Sequence, residues 1–84
     1  MYVTIKENNS YYPSIINMDN VVEVTIDRRG CENTEYRLIF YFNSCPEGET
    51  YNAYEFKTKA KAFEQLNKIQ NGIKRKQRFV DLKF

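Results

Sequence analysis

The segment 35–43 constrains the fold more than any other part of the chain, because it is apolar on both faces. Successive side chains of a strand point to opposite faces of a sheet. One face of this segment carries Tyr36, Leu38, Phe40 and Phe42, and the other carries Ile39 and Tyr41. A strand of this kind lies at the centre of a sheet and is contacted on both faces. The sequence therefore predicts a sheet built around this segment.

Shorter alternating segments surround this central strand and are separated by residues typical of turns. Extended segments are predicted at 2–6, 12–16, 21–27 and 51–56, with Val22, Val24 and Ile26 on the inner face of the third. Hairpin loops are predicted at 28–33, around Gly30, and at 44–49. Connections this short make neighbouring strands antiparallel.

The spacing of apolar residues changes from that of a strand to that of a helix after Thr58, a suitable N-cap. The apolar positions of this predicted helix are Ala62, Phe63, Leu66, Ile69 and Ile73. Asn71 and Gly72 predict its end near Gln70, and the segment 78–84 alternates like a terminal strand. The whole pattern predicts a single α+β domain over residues 1–84. It consists of an antiparallel β-meander of four or five strands, one C-terminal helix packed on one face, and a terminal strand.

The composition excludes most catalytic chemistry. The chain has no His, two Cys and three Gly. It therefore lacks an imidazole for a Ser or Cys nucleophile, four suitable zinc ligands and a glycine-rich phosphate loop. We expect a protein that is not an enzyme and that holds no cofactor and no metal.

Cys31 and Cys45 flank the predicted central strand, whose nine residues would hold them about 30 Å apart. A disulfide requires Cα atoms within about 7 Å, so two free thiols in a reducing compartment are expected. No secretory signal opens the chain, and its longest apolar run, residues 38–42, cannot span a membrane. These features predict a soluble cytoplasmic protein without a membrane partner.

Charge is divided unevenly along the chain. Residues 1–56 hold four basic and nine acidic side chains, for a net charge of −5, and residues 57–84 hold nine basic and two acidic, for +7. Four cations in five residues, Lys74, Arg75, Lys76 and Arg78, form what we call the basic segment. Such a cluster predicts contact with nucleic acid or with an acidic partner, although a solvated surface explains it as well. Phe79 is the only aromatic residue beside it.

A second candidate surface is the face of the central strand opposite the helix. Ile39 and Tyr41 are predicted to point outward there, beside Tyr51 of the next strand. We call these three residues the tyrosine patch. Partly apolar, Tyr-rich surfaces are enriched at protein interfaces. The alternative is that the N-terminal hairpin covers this face and makes Tyr41 part of the core. Free strand edges also make a homodimer a possible assembly.

The leading hypothesis is a non-enzymatic binding module that acts through protein–protein interaction. The tyrosine patch would supply the contact, and the basic segment would increase the association rate. Small dipolar proteins rich in Asn, Lys and Tyr are common among phage and mobile-element products, and by that analogy the chain would be a regulator or inhibitor. The alternative hypothesis is a nucleic-acid-binding protein that uses the basic segment.

Overall fold

Six strands and one helix make up the fold over the described part of the chain. The computed structural model describes residues 1–7, 11–29, 35–42 and 50–83. In chain order the elements are β1 (Tyr2–Lys6), β2 (Ser14–Asn17), β3 (Val21–Arg29), β4 (Glu35–Phe42), β5 (Thr50–Phe56), α1 (Lys59–Lys74) and β6 (Phe79–Lys83). A short 3₁₀ turn, Met18–Asn20, joins β2 to β3. The predicted α+β class with one late helix and a terminal strand is confirmed.

The strands form two three-stranded sheets, and the antiparallel meander of the prediction corresponds to β3, β4 and β5. The first sheet has the order β2-β1-β6 and the second the order β3-β4-β5. The pairs β1–β2, β3–β4 and β4–β5 are antiparallel, as predicted for strands joined by short connections, whereas β6 pairs parallel with β1. The predicted loop around Gly30 and both cysteines lie outside the described residues, as does the predicted loop at 44–49.

One core is shared by the inner faces of both sheets and by α1. Alternation places one side of each strand inward, and a helix across those sides removes both from water. The buried apolar residues of this core are Val3, Ile5, Ile16, Leu38, Phe40, Tyr54, Phe56, Ala62, Ile69, Val80 and Leu82. The Phe40 and Tyr54 rings meet edge to face with centroids 6.0 Å apart. Burial of Tyr54 raises the pKa of its hydroxyl above the ordinary value.

A β-bulge changes the predicted facing of β3. The pairing of β3 with β4 shifts register between Val21 and Glu23. The bulge turns Val22 outward, so that it is 66% exposed, whereas Val24 and Ile26 pack against the core. The prediction that Val22 faces inward is therefore wrong, because an extra residue in a strand reverses the alternation beyond it.

The helix extends past the predicted stop and presents a different inner face. Phe63 and Ile73, predicted to face inward, are exposed. The inner face of α1 instead includes Gln65, which is fully buried, together with Ala62 and Ile69. The backbone N–H of Lys83 donates to Gln65 Oε1 at 3.1 Å. Because β6 is an edge strand, this bond gives one of its free amides a partner and ties it to α1.

Gly72 lies inside the helix and is buried rather than marking its end. A Cβ at this position would lie 2.5 Å from Val80 Cγ2, so glycine permits the close approach of α1 and β6. The helix ends instead at Arg75, its C-cap. The Lys76 N–H donates to the Ile73 carbonyl and the Gln77 N–H to the Gly72 carbonyl, with Lys76 at φ 54°. These are the bonds of a Schellman motif.

Candidate ligand-binding surfaces

The basic segment is exposed but held in a fixed place. All four of its cationic residues are exposed. The Schellman motif orders the backbone at its centre, and the Tyr2 N–H donates to the Arg78 carbonyl at 2.7 Å. The cations therefore extend from a backbone that is hydrogen-bonded to α1 at one end and to β1 at the other. Ordering the backbone in advance lowers the entropy lost when these side chains bind a ligand.

The first sheet places an aromatic pair directly beside the basic segment. Tyr2 and Phe79 are register partners in the parallel pairing of β1 with β6. Their ring centroids are 5.7 Å apart and the rings are inclined by 24°. Tyr2 is 41% exposed and Phe79 is 64% exposed, on the face of the sheet that points away from the core. Sequence reasoning missed this pair, because 77 positions separate its members and alternation does not show which strands are neighbours.

The rest of this outer face is mixed in character. Ile15 of β2 is 67% exposed on the row next to the aromatic pair, opposite Thr4 of β1. The Thr4 hydroxyl donates to the Asp81 carboxylate on that row. Lys6 and Lys83 are register partners on the following row. We call this surface, with Tyr2, Ile15 and Phe79, the outer face of the first sheet.

The tyrosine patch is smaller than the sequence suggests. Tyr41 and Tyr51 are register partners with ring centroids 5.9 Å apart, and Tyr51 is 53% exposed. Ile39 occupies the predicted face, but only 2% of it is exposed. The expectation that Ile39 offers contact area is therefore corrected. The register partners of Ile39 on the flanking strands are Thr25 and Ala53.

Arg37 is a second largely buried residue on this face. It lies two residues before Ile39 on the same face of β4, and its Nη2 donates to Asp27 Oδ2 at 2.9 Å. Its side chain is 13% exposed, and its Nε is buried without a partner among the described residues. The bond to Asp27 raises the pKa of Arg37, with a smaller contribution from Tyr51, while burial acts against it. Its polar partners Asp27 and Tyr51 therefore hold this guanidinium at the tyrosine patch.

A third surface is a groove between α1 and β3. Its volume is about 450 Å³, and its apolar lining includes Met18, Leu66 and Ile73. Asp19 and Glu23 also line it. Its acidic side chains make the groove unsuitable for a polyanion. In this respect it differs from the basic segment.

The comparisons with known proteins returned no match among family models, curated proteins or solved structures. Within the described residues, no helix is long and apolar enough to cross a membrane. No cluster of three or more potential metal-ligating side chains occurs in that part of the chain. The site residues must therefore be weighed on their geometry and charge.

Proposed function

We propose that the protein is a non-enzymatic binding module whose ligand is nucleic acid, held by the phosphates on the basic segment. The observation that carries the proposal is four exposed cations on a hydrogen-bonded backbone. Phosphate contacts supply most of the sequence-independent affinity for nucleic acid. The proposal retains the cytoplasmic location expected from the sequence.

The uneven charge supports a polyanionic ligand. Residues 57–84 carry a net charge of +7. Lys61 and Lys68 are partly buried, whereas all four cations of the basic segment are exposed. A concentrated positive region increases the rate at which a polyanion associates and gives an affinity that falls as salt rises. The buried Ile39 reduces the area available for a protein partner at the tyrosine patch, which is why nucleic acid now ranks first.

Fluorescence anisotropy with labelled single-stranded and duplex oligonucleotides tests this function. If the four cations of the basic segment each neutralise a phosphate, affinity for a single strand should fall about 50-fold between 50 and 200 mM salt. Replacing Lys74, Arg75, Lys76 and Arg78 together by Gln should lower the slope of log affinity against log salt by about 3.

A control variant with the same net charge tests whether the position of the cations matters, rather than their number. Changing Lys57, Lys59, Lys61 and Lys68 to Gln removes the same number of charges from residues 57–68, outside the basic segment. We expect this control to retain most of the binding. Equal loss in both variants, or no binding at 50 mM salt, would contradict a site on the basic segment.

A second candidate function is protein binding through what remains of the tyrosine patch. The observation that favours it is the 53% exposure of Tyr51 beside the half-buried Tyr41. Partner capture that is lost in Tyr51→Ala, and retained in the Gln variant of the basic segment, would favour this function over nucleic-acid binding.

A further inference from the structure

Two partly exposed aromatic rings lie side by side on the outer face of the first sheet. Tyr2 is 41% exposed and Phe79 is 64% exposed. The strands beneath them are anchored in the core by the inward neighbours Val3 and Val80. Aromatic side chains in such positions can stack with nucleic-acid bases, and each stacked base strengthens binding about fivefold or more.

The position of the cations relative to the rings distinguishes this face from an ordinary apolar patch. Arg78 immediately precedes Phe79, and its carbonyl accepts from the N–H of Tyr2. The last cation of the basic segment therefore lies at the border of the aromatic pair. A nucleotide has a phosphate and a base joined by a sugar, and this surface offers a partner of matching chemistry for each.

Asp81 indicates how a nucleic-acid strand would be oriented on this surface. It follows Phe79 by two positions on the same face of β6, and the Thr4 hydroxyl donates to its carboxylate. A phosphate backbone running along β6 would meet this negative charge, so the phosphates belong at the basic segment and the bases over the rings. A depression of about 490 Å³ at this end of β6 is lined by Lys6 and Lys83 but also by Asp81 itself, so its mixed charge does not mark it as a second phosphate position.

We infer that the outer face of the first sheet is a stacking surface for single-stranded nucleic acid, with bases on Tyr2 and Phe79 and phosphates on the basic segment. This inference rests on the proposed function and narrows its ligand from nucleic acid in general to unpaired strands. Bases in a duplex are already stacked on one another, so their faces are not accessible to side chains except at the ends.

The test compares three labelled probes of the same length at 50 mM salt: oligo-dT, an abasic strand with the same number of phosphates, and a duplex. Oligo-dT should bind at least about fivefold more tightly than the abasic strand, since the latter has charge but no bases. Phe79→Ala and Tyr2→Ala should each remove most of that difference, and Phe79→Trp should retain it. Phe63→Ala is the matched control, because Phe63 is also 41% exposed but lies on α1.

The possible outcomes distinguish failure of base stacking from failure of nucleic-acid binding itself. Equal binding of oligo-dT and the abasic strand, with both lost in the Gln variant of the basic segment, would overturn stacking and leave nucleic-acid binding intact. No binding of any probe would overturn both. Tighter binding of poly-glutamate than of oligo-dT would overturn both in favour of an acidic protein partner. Far-UV circular dichroism and urea unfolding of Tyr2→Phe and Tyr2→Ala distinguish a lost ring from a lost fold.

Discussion

Lys76 illustrates how one residue can serve the fold and the candidate site in opposite ways. It occupies the left-handed position of the Schellman motif at φ 54°. Glycine adopts that conformation without cost, whereas a residue with a Cβ is strained by about 1–2 kcal/mol. The same Lys contributes one of the four charges of the basic segment. On our account, the strained residue carries a charge that glycine could not supply.

Replacing Lys76 by Gly should therefore raise stability and weaken nucleic-acid binding. Relief of strain outweighs the greater freedom of glycine in the unfolded chain, so the free energy of unfolding should rise by about 0.5–1 kcal/mol. Urea unfolding measures the change. Lys74→Gly is the matched control, because it removes the same charge from within α1 and should lower stability by about 1 kcal/mol.

Binding by these two variants completes the comparison. Each should lose a similar amount of affinity, with the salt slope reduced by about 0.7. A fall in stability for Lys76→Gly would show that the lysine side chain is needed structurally, which contradicts the assignment of its role to charge.

At the scale of elements, the contact between α1 and β6 organises the surface we propose. Gly72 allows the helix to approach Val80 closely, and Gln65 accepts from the backbone of Lys83. Both contacts help to hold β6 beside β1, and that pairing brings Phe79 against Tyr2. The packing of α1 thus helps to position the aromatic pair by holding β6 in place, although α1 lies on the opposite side of the sheet.

Gly72→Ala tests that close approach. In an open helix the change would stabilise by about 0.5–1 kcal/mol. Here the new methyl would meet the stiff side chain of Val80 and Met1 Sδ at 3.2 Å, so we expect a net loss of about 1–2 kcal/mol in urea unfolding. The exposed neighbour variant Asn71→Ala should be neutral or slightly stabilising.

A double-mutant cycle makes the cause specific. If the clash is with Val80, then Val80→Ala should cost less in the Gly72→Ala background than in the wild type. Stabilisation by Gly72→Ala comparable to that by Asn71→Ala would mean that the helix and β6 are not in close contact.

For the molecule as a whole, the sequence predicts each element better than it predicts the arrangement of elements. Alternation correctly indicates β1 and β6, and the apolar spacing indicates α1. The sequence pattern does not reveal that β6 pairs parallel with β1. The spacing of apolar residues shows which side chains of a strand share a face, but it does not show which strand lies next to it. The Tyr2–Phe79 pair follows from that pairing, so it could not be anticipated.

Two other differences have local causes. The bulge at Val22 reverses the expected facing through a single extra residue, and a glycine that resembles a helix stop at position 72 is instead a packing residue. The charge asymmetry, by contrast, depends only on the order of charged residues along the chain, so the basic segment is visible in the sequence. One half of the proposed site could be predicted and the aromatic half could not.

The central claim is that nucleic acid binds where the basic segment meets the aromatic pair. The most direct measurement is an ¹⁵N–¹H correlation spectrum of the full chain titrated with oligo-dT at 50 mM salt. Our account predicts that the largest shifts occur at the amides of Tyr2 and Phe79 and at residues 75–78, with little change at Tyr41 and Tyr51. Largest shifts at Tyr41 and Tyr51, or an unchanged spectrum at saturating oligonucleotide, would contradict it.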